Sequence, residues 1–102
     1  MKRPAEEIEK EREEAWVGDA ILALYVREWL LKKRGKIDGD AFIRATSNDF
    51  LRLVGNPTAV EAAIGREYRE NGLEAAFVYI EEKLIPLFEQ REKVRARQRS
   101  NR

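Results

Sequence analysis

Residues 16–34 set the strongest limit on how this chain folds. Trp16, Val17, Ala20, Ile21, Leu24, Tyr25, Trp29, Leu30 and Leu31 recur at helical spacing, and as far as Val26 apolar residues occupy most of the circumference. Such a helix is expected to be central and buried, with the other elements packed round it. Lys32, Lys33 and Arg34 complement the negative end of its dipole, and Gly35 stops it. At 102 residues the chain has room for one hydrophobic core and so for one domain.

The remaining segments are helical too. Residues 5–14 form a charged helical segment with no apolar stripe beyond Ala5 and Ile8. Asp38-Gly39-Asp40 opens a third helix running to about Val54, with Phe42, Ile43, Phe50, Leu53 and Val54 inward and Gly55 after it. Asn56-Pro57 pairs an N-cap with a proline at the first helical position, which predicts a fourth helix over 57–71 that stops at Gly72. A fifth starts at Leu73 with apolar residues at 73, 76, 77, 80 and 84, and Pro86 ends or kinks it. Leu87 and Phe88 dock before a basic tail. No strand, hairpin or repeat pattern occurs, so the expected class is all-α, a compact bundle of about five helices. The expected organisation is a charged N-terminal segment over 1–14, a domain over 15–88 and a basic tail over 89–102.

Composition narrows the chemistry. The chain has no cysteine and no histidine, which removes disulfides, thiolate nucleophiles, Cys/His zinc sites and the usual general base near neutral pH. Catalysis would have to rest on carboxylates, Lys, Tyr or a hard metal ion. Asp19, Arg27 and Glu28 interrupt the apolar run 15–31, so no membrane span is expected. Acidic residues follow Met1-Lys2-Arg3-Pro4 where a secretory signal would be apolar, which gives a cytoplasmic expectation. Charge is polarised: residues 1–14 carry a net −2 and residues 89–102 a net +4, through Arg91, Lys93, Arg95, Arg97, Arg99 and Arg102. Such a tail suits phosphate, although solvated basic tails are common.

Two acids stand in apolar surroundings: Asp19 in Ala15-Trp16-Val17-Gly18-Asp19-Ala20-Ile21-Leu22, and Glu61 in Thr58-Ala59-Val60-Glu61-Ala62-Ala63-Ile64-Gly65. A buried carboxylate needs a partner or a metal, and two brought together repel unless a hard divalent cation joins them. Spacing alone leaves plainer readings open. Asp19 after Gly18 suits an N-cap, and Glu61 shares its helix with Arg66, Glu67, Arg69 and Glu70 and suits a solvated face.

The same two segments resemble the ribonuclease III catalytic domain. Val17-Gly18-Asp19-Ala20 and its flanks resemble the family's signature helix, and Glu61-Ala62-Ala63-Ile64-Gly65 resembles its second acidic motif. The likeness spans about residues 14–85, including Tyr25-Val26-Arg27, Tyr68 and Gly72-Leu73-Glu74. Ala15 and Thr58 replace acids of the larger members, as in the Mini-ribonuclease III type, which lacks a separate RNA-binding domain. Arg12 stands where larger members have another acid, and no role is transferred to it. Gly55-Asn56-Pro57 replaces a long stretch that in the relatives includes a helix and a basic loop.

The resemblance implies an Mg2+-dependent (or Mn2+-dependent) endoribonuclease acting on double-stranded RNA, with Asp19 and Glu61 as catalytic metal ligands. It implies a homodimer through the 16–34 helix. Lys32, Lys33, Arg34, Lys36, Arg44, Arg95, Arg97 and Arg99 are candidates for RNA phosphates; for 32–36 a helix C-terminus favours cations in any case. The short 55–57 connection keeps a non-cleaving RNA-binding or ribonucleoprotein component, or a plain dimerisation module, as alternatives.

Overall fold

The computed structural model describes residues 3–100. Six helices follow one another: α1 Ala5–Arg34, α2 Gly39–Thr46, α3 Asn48–Leu51, α4 Pro57–Asn71, α5 Leu73–Lys83 and α6 Ile85–Ser100. The class is all-α, without a strand among the described residues. None of the helices is long and apolar enough to cross a membrane.

The first two expected helices are one. α1 runs for 30 residues, about 45 Å at 1.5 Å per residue, along a molecule 51 Å in its longest dimension. Residues 5–14 join it because Glu14 and Ala15 are already buried against α4. It ends as expected: Gly35 takes the left-handed conformation (φ 71°) and its amide donates to the Leu31 carbonyl at 2.9 Å.

The expected 38–54 helix breaks at Ser47, whose extended backbone lets its Oγ accept from the Phe50 amide at 3.1 Å. This new cap outcompetes continuation of α2 and turns Phe50 into the core, edge-on to Phe88 at 5.6 Å. α4 matches its expected bounds, because its signals are local: Asn56 Oδ1 caps the Ala59 amide at 3.1 Å, Pro57 follows, and Gly72 (φ 95°) closes it.

Pro86 separates two helices and leaves the tail helical. It sits in the first turn of α6, where a missing N–H costs nothing. Phe88 docks fully and Leu87 partly. Beyond them residues 89–100 stay helical, tied down by Lys33–Glu89 (3.7 Å) and by Arg34 and Arg44 on Glu92. Arg102 lies outside the described residues.

The core collects Leu22, Val26, Leu51, Ile64, Ile80, Leu84 and Phe88, with the small residues Ala41 and Ala45 contributed by α2. α1 is central but not buried all round. Trp16, Leu24 and Leu31 share one uncovered stripe, and Trp16 is 82% exposed.

Candidate functional site: two carboxylates at a glycine crossing

α1 and α4 pack antiparallel over their small residues. A Cβ at Gly18 would overlap the Glu61 carbonyl oxygen and reach 2.8 Å from its carbon and 2.9 Å from the Gly65 amide. A Cβ at Gly65 would overlap the Glu14 carbonyl and reach 3.1 Å from the Gly18 amide. The two backbones therefore touch, at a mid-helix glycine cost of about 1 kcal/mol each. Close approach on this scale brings short side chains on opposite helices within reach of each other.

Asp19 follows Gly18, and Glu61 is the residue whose carbonyl Gly18 meets. Asp19 lies close enough to the Glu61 carboxyl to act on it through hydrogen bonding and charge. Asp19 is on the exposed side of α1 and Glu61 is half-buried. The apolar neighbours of Asp19 in sequence do not bury it, because they point to other sides of the helix. It is no N-cap either, since α1 passes through it unbroken, and Glu61 faces α1.

Burial pushes the Glu61 carboxyl up to about 7, with a hydrogen bond that protonated Glu61 donates to Asp19 and the charge of Asp19 as the further causes. Glu61 thus holds its proton into the neutral range, although a free glutamate loses it near 4.5. Two acids sharing space with too little positive charge describe what a divalent cation would relieve. No cluster of three or more Asp, Glu, His or Cys occurs among the described residues. The donor set therefore fits a hard ion that keeps most of its own water, as Mg2+ does, and does not fit an all-protein cage.

The linkage has a definite sign. The folded pKa of about 7 lies above the ordinary value, so folding takes up a proton between the two. The contribution to stability is full below about 4.5 and is lost as pH rises through about 7. We expect thermal unfolding of the metal-free protein to show this fall, and Glu61→Gln to abolish it and to melt higher than the parent at pH 8. A parent melting curve insensitive to Glu61→Gln at pH 8 would show that the two acids do not repel. Mg2+ competes with the same proton, so its affinity should rise with pH up to about 7 and level off above.

The cations expected to bind RNA group at the other end of α1. Lys32 lies thirteen residues after Asp19, roughly 20 Å along the helix. Arg44 grips Glu92 with two bonds of 3.0 and 2.8 Å, and Arg34 adds a third at 3.3 Å. The Arg44 hydrogen bonds hold the Glu92 carboxyl below the usual carboxylate range. Arg34 and Arg44 thus anchor α6, while Lys33 sits near the Trp29 ring (5.7 Å) and beside Glu89. Lys32, Lys36, Arg95, Arg97 and Arg99 are exposed and form no ion pair among the described residues. A groove of about 720 Å³ between α3 and α6, floored by Phe50, Leu53 and Phe88 and edged by Arg91 and Arg95, includes neither acid of the pair.

Sequence reasoning missed Glu14 and Arg66, the ion pair beside the crossing. The available signal was position: Arg66 follows Gly65, and Glu14 lies four residues before Gly18. Comparison with protein-family models, with curated proteins and with solved structures returns no match to this chain.

Proposed function

We propose that this chain is an Mg2+-dependent endoribonuclease that cuts double-stranded RNA as a homodimer, in the manner of the ribonuclease III domain it resembles. The observation that carries the proposal is the meeting of Asp19 and Glu61 across the glycine crossing, with Glu61 held near 7. Those residues stand 42 positions apart, and they are the two that the motifs single out.

The roles follow from the chemistry of the site. A hard divalent ion there supplies positive charge to the scissile phosphate and acidifies water. Asp19, exposed, presents its carboxylate outward, and Glu61 completes the pair from the half-buried side. Glu61 would give up its proton when a cation is held there, so binding would weaken as pH falls below about 7. Duplex RNA is recognised by shape, phosphates and 2′-hydroxyls, which suits an open crossing and the exposed cations Lys32, Lys36, Arg95, Arg97 and Arg99. A cytoplasmic setting belongs to the same proposal.

The homodimer draws support from α1. Trp16, Ala20, Leu24 and Leu31 fall on one side of the helix and are all exposed. Ile37, just beyond its end, is 87% exposed. Arg27 interrupts this face between Leu24 and Leu31, and the aligned exposed apolar residues on either side of it suit an interface. We expect a dimeric mass at micromolar concentration, and a monomeric one for Trp16→Asp combined with Leu24→Asp. A monomeric parent would overturn the dimer.

The test of function is incubation of the purified protein with long duplex RNA, with and without Mg2+, beside Asp19→Asn and Glu61→Gln. Magnesium-dependent cutting that both variants lose supports the enzyme. Duplex binding without cutting favours the non-cleaving RNA-binding component, the reading to which the five-residue 52–56 link between α3 and α4 lends weight.

A further inference from the structure

Glu14 is the one buried charged side chain among the described residues, 5% exposed. Its carboxylate takes Arg66 of α4, with Nε 3.4 Å from one oxygen and Nη2 3.5 Å from the other. The pair sits on the crossing itself: Gly65 lies against the Glu14 carbonyl, and Arg66 is the next residue. Glu14 is five residues before Asp19, and Arg66 five after Glu61. With α1 and α4 antiparallel, the ion pair and the acidic pair lie on the same interface, roughly 7.5 Å apart along the axes.

Glycine contacts let backbones touch but offer no knob to lock into a hole. A slip would press a Cβ-bearing neighbour of either glycine onto backbone, so the glycine seats restrict the axial register, and a buried charge with a single partner across the crossing restricts it further. An apolar pair would fill space in several registers. A charge buried on one helix has one partner, and a slip leaves it alone without solvent, a device suited to specifying register.

We propose that Glu14–Arg66 is the positioning pair of the acidic centre, holding α1 and α4 in the one register that brings Asp19 and Glu61 together. The metal-affinity part of the test rests on the cation reading of that centre; the register part does not.

The chain has no cysteine, so spin labels can be placed at Glu28→Cys on α1 and Arg69→Cys on α4, both exposed. In the otherwise unaltered chain the label–label distance should be a single narrow distribution. Glu14→Leu combined with Arg66→Leu leaves no unpaired charge and keeps packing volume. We expect it to stay helical and to melt no lower, while the distance distribution broadens or shifts. Arg66→Lys, which keeps the charge, should restore the narrow distribution. Mn2+ affinity should fall about tenfold in the double variant, the scale of losing a group that orients metal ligands. An unchanged narrow distance in the double variant overturns the proposal, whatever its melting temperature. A double variant that no longer folds overturns it too, since the pair would then serve stability and not register. If the parent binds no Mn2+, the cation reading fails and the distance measurement alone decides the positioning role.

Discussion

Gly18→Ala should destabilise the protein by about 3 kcal/mol or more, the upper end of what overpacking costs. The added methyl would overlap the Glu61 carbonyl oxygen and come within 2.8 Å of its carbon, and backbone cannot rotate aside as a flexible side chain can. α1 and α4 would have to separate along their contact, lifting Ile64 and Leu22 from the core they share. In a mid-helix position alanine normally stabilises relative to glycine by about 1 kcal/mol, so the sign of the change is itself diagnostic. Urea unfolding measures it. An alanine variant as stable as the parent would mean that the crossing is looser than described. Gly65→Ala should behave alike, because its methyl would meet the Glu14 carbonyl.

The second large effect is on activity. Asp19→Asn and Glu61→Gln should each lower Mg2+-dependent cleavage of duplex RNA by about 10³-fold, the rate equivalent of roughly 4 kcal/mol of lost charge stabilisation. Neither change removes volume, and Glu61→Gln relieves repulsion, so both variants should stay folded. Loss of cutting with an intact melting transition thus reads on chemistry alone. Single-turnover rates at saturating enzyme make the comparison, and a variant within tenfold of the parent would remove that residue from the chemistry. The two losses should not add, since one ion needs both oxygens.

What could be read from the sequence was what local chemistry decides. Asn56-Pro57, Gly35 and Gly72 carry caps and a left-handed turn in themselves, and the ends they mark fall where expected. Ser47 was legible in principle, since Ser-Asn-Asp is a cap sequence, but Phe42 to Val54 reads as one apolar face and hides it. The unbroken α1 was not legible. Residues 5–10 have no apolar stripe because they are exposed, and Glu14, the buried residue of the segment, is held by charge. α6 continues past Phe88 for a related reason: its anchors are Glu89 and Glu92, which hydropathy counts as solvent-facing.

The motifs name Asp19 and Glu61 together, but the burial falls on the other acid from the one that sequence neighbours indicate. Apolar neighbours in sequence suggested a buried Asp19, whereas Asp19 is exposed and Glu61 carries the burial. Contact between residues 42 positions apart lies beyond periodicity. Two glycines bring it about by letting the backbones touch, and that is tertiary geometry.

Titration of the metal-free protein with Mn2+ at pH 8, followed by electron paramagnetic resonance of the free ion, asks most directly whether Asp19 and Glu61 share a cation. The expected result is saturable binding that Mg2+ displaces, that weakens as pH falls below about 7, and that both Asp19→Asn and Glu61→Gln abolish. Binding of equal strength in either variant, or none in the parent, would contradict it.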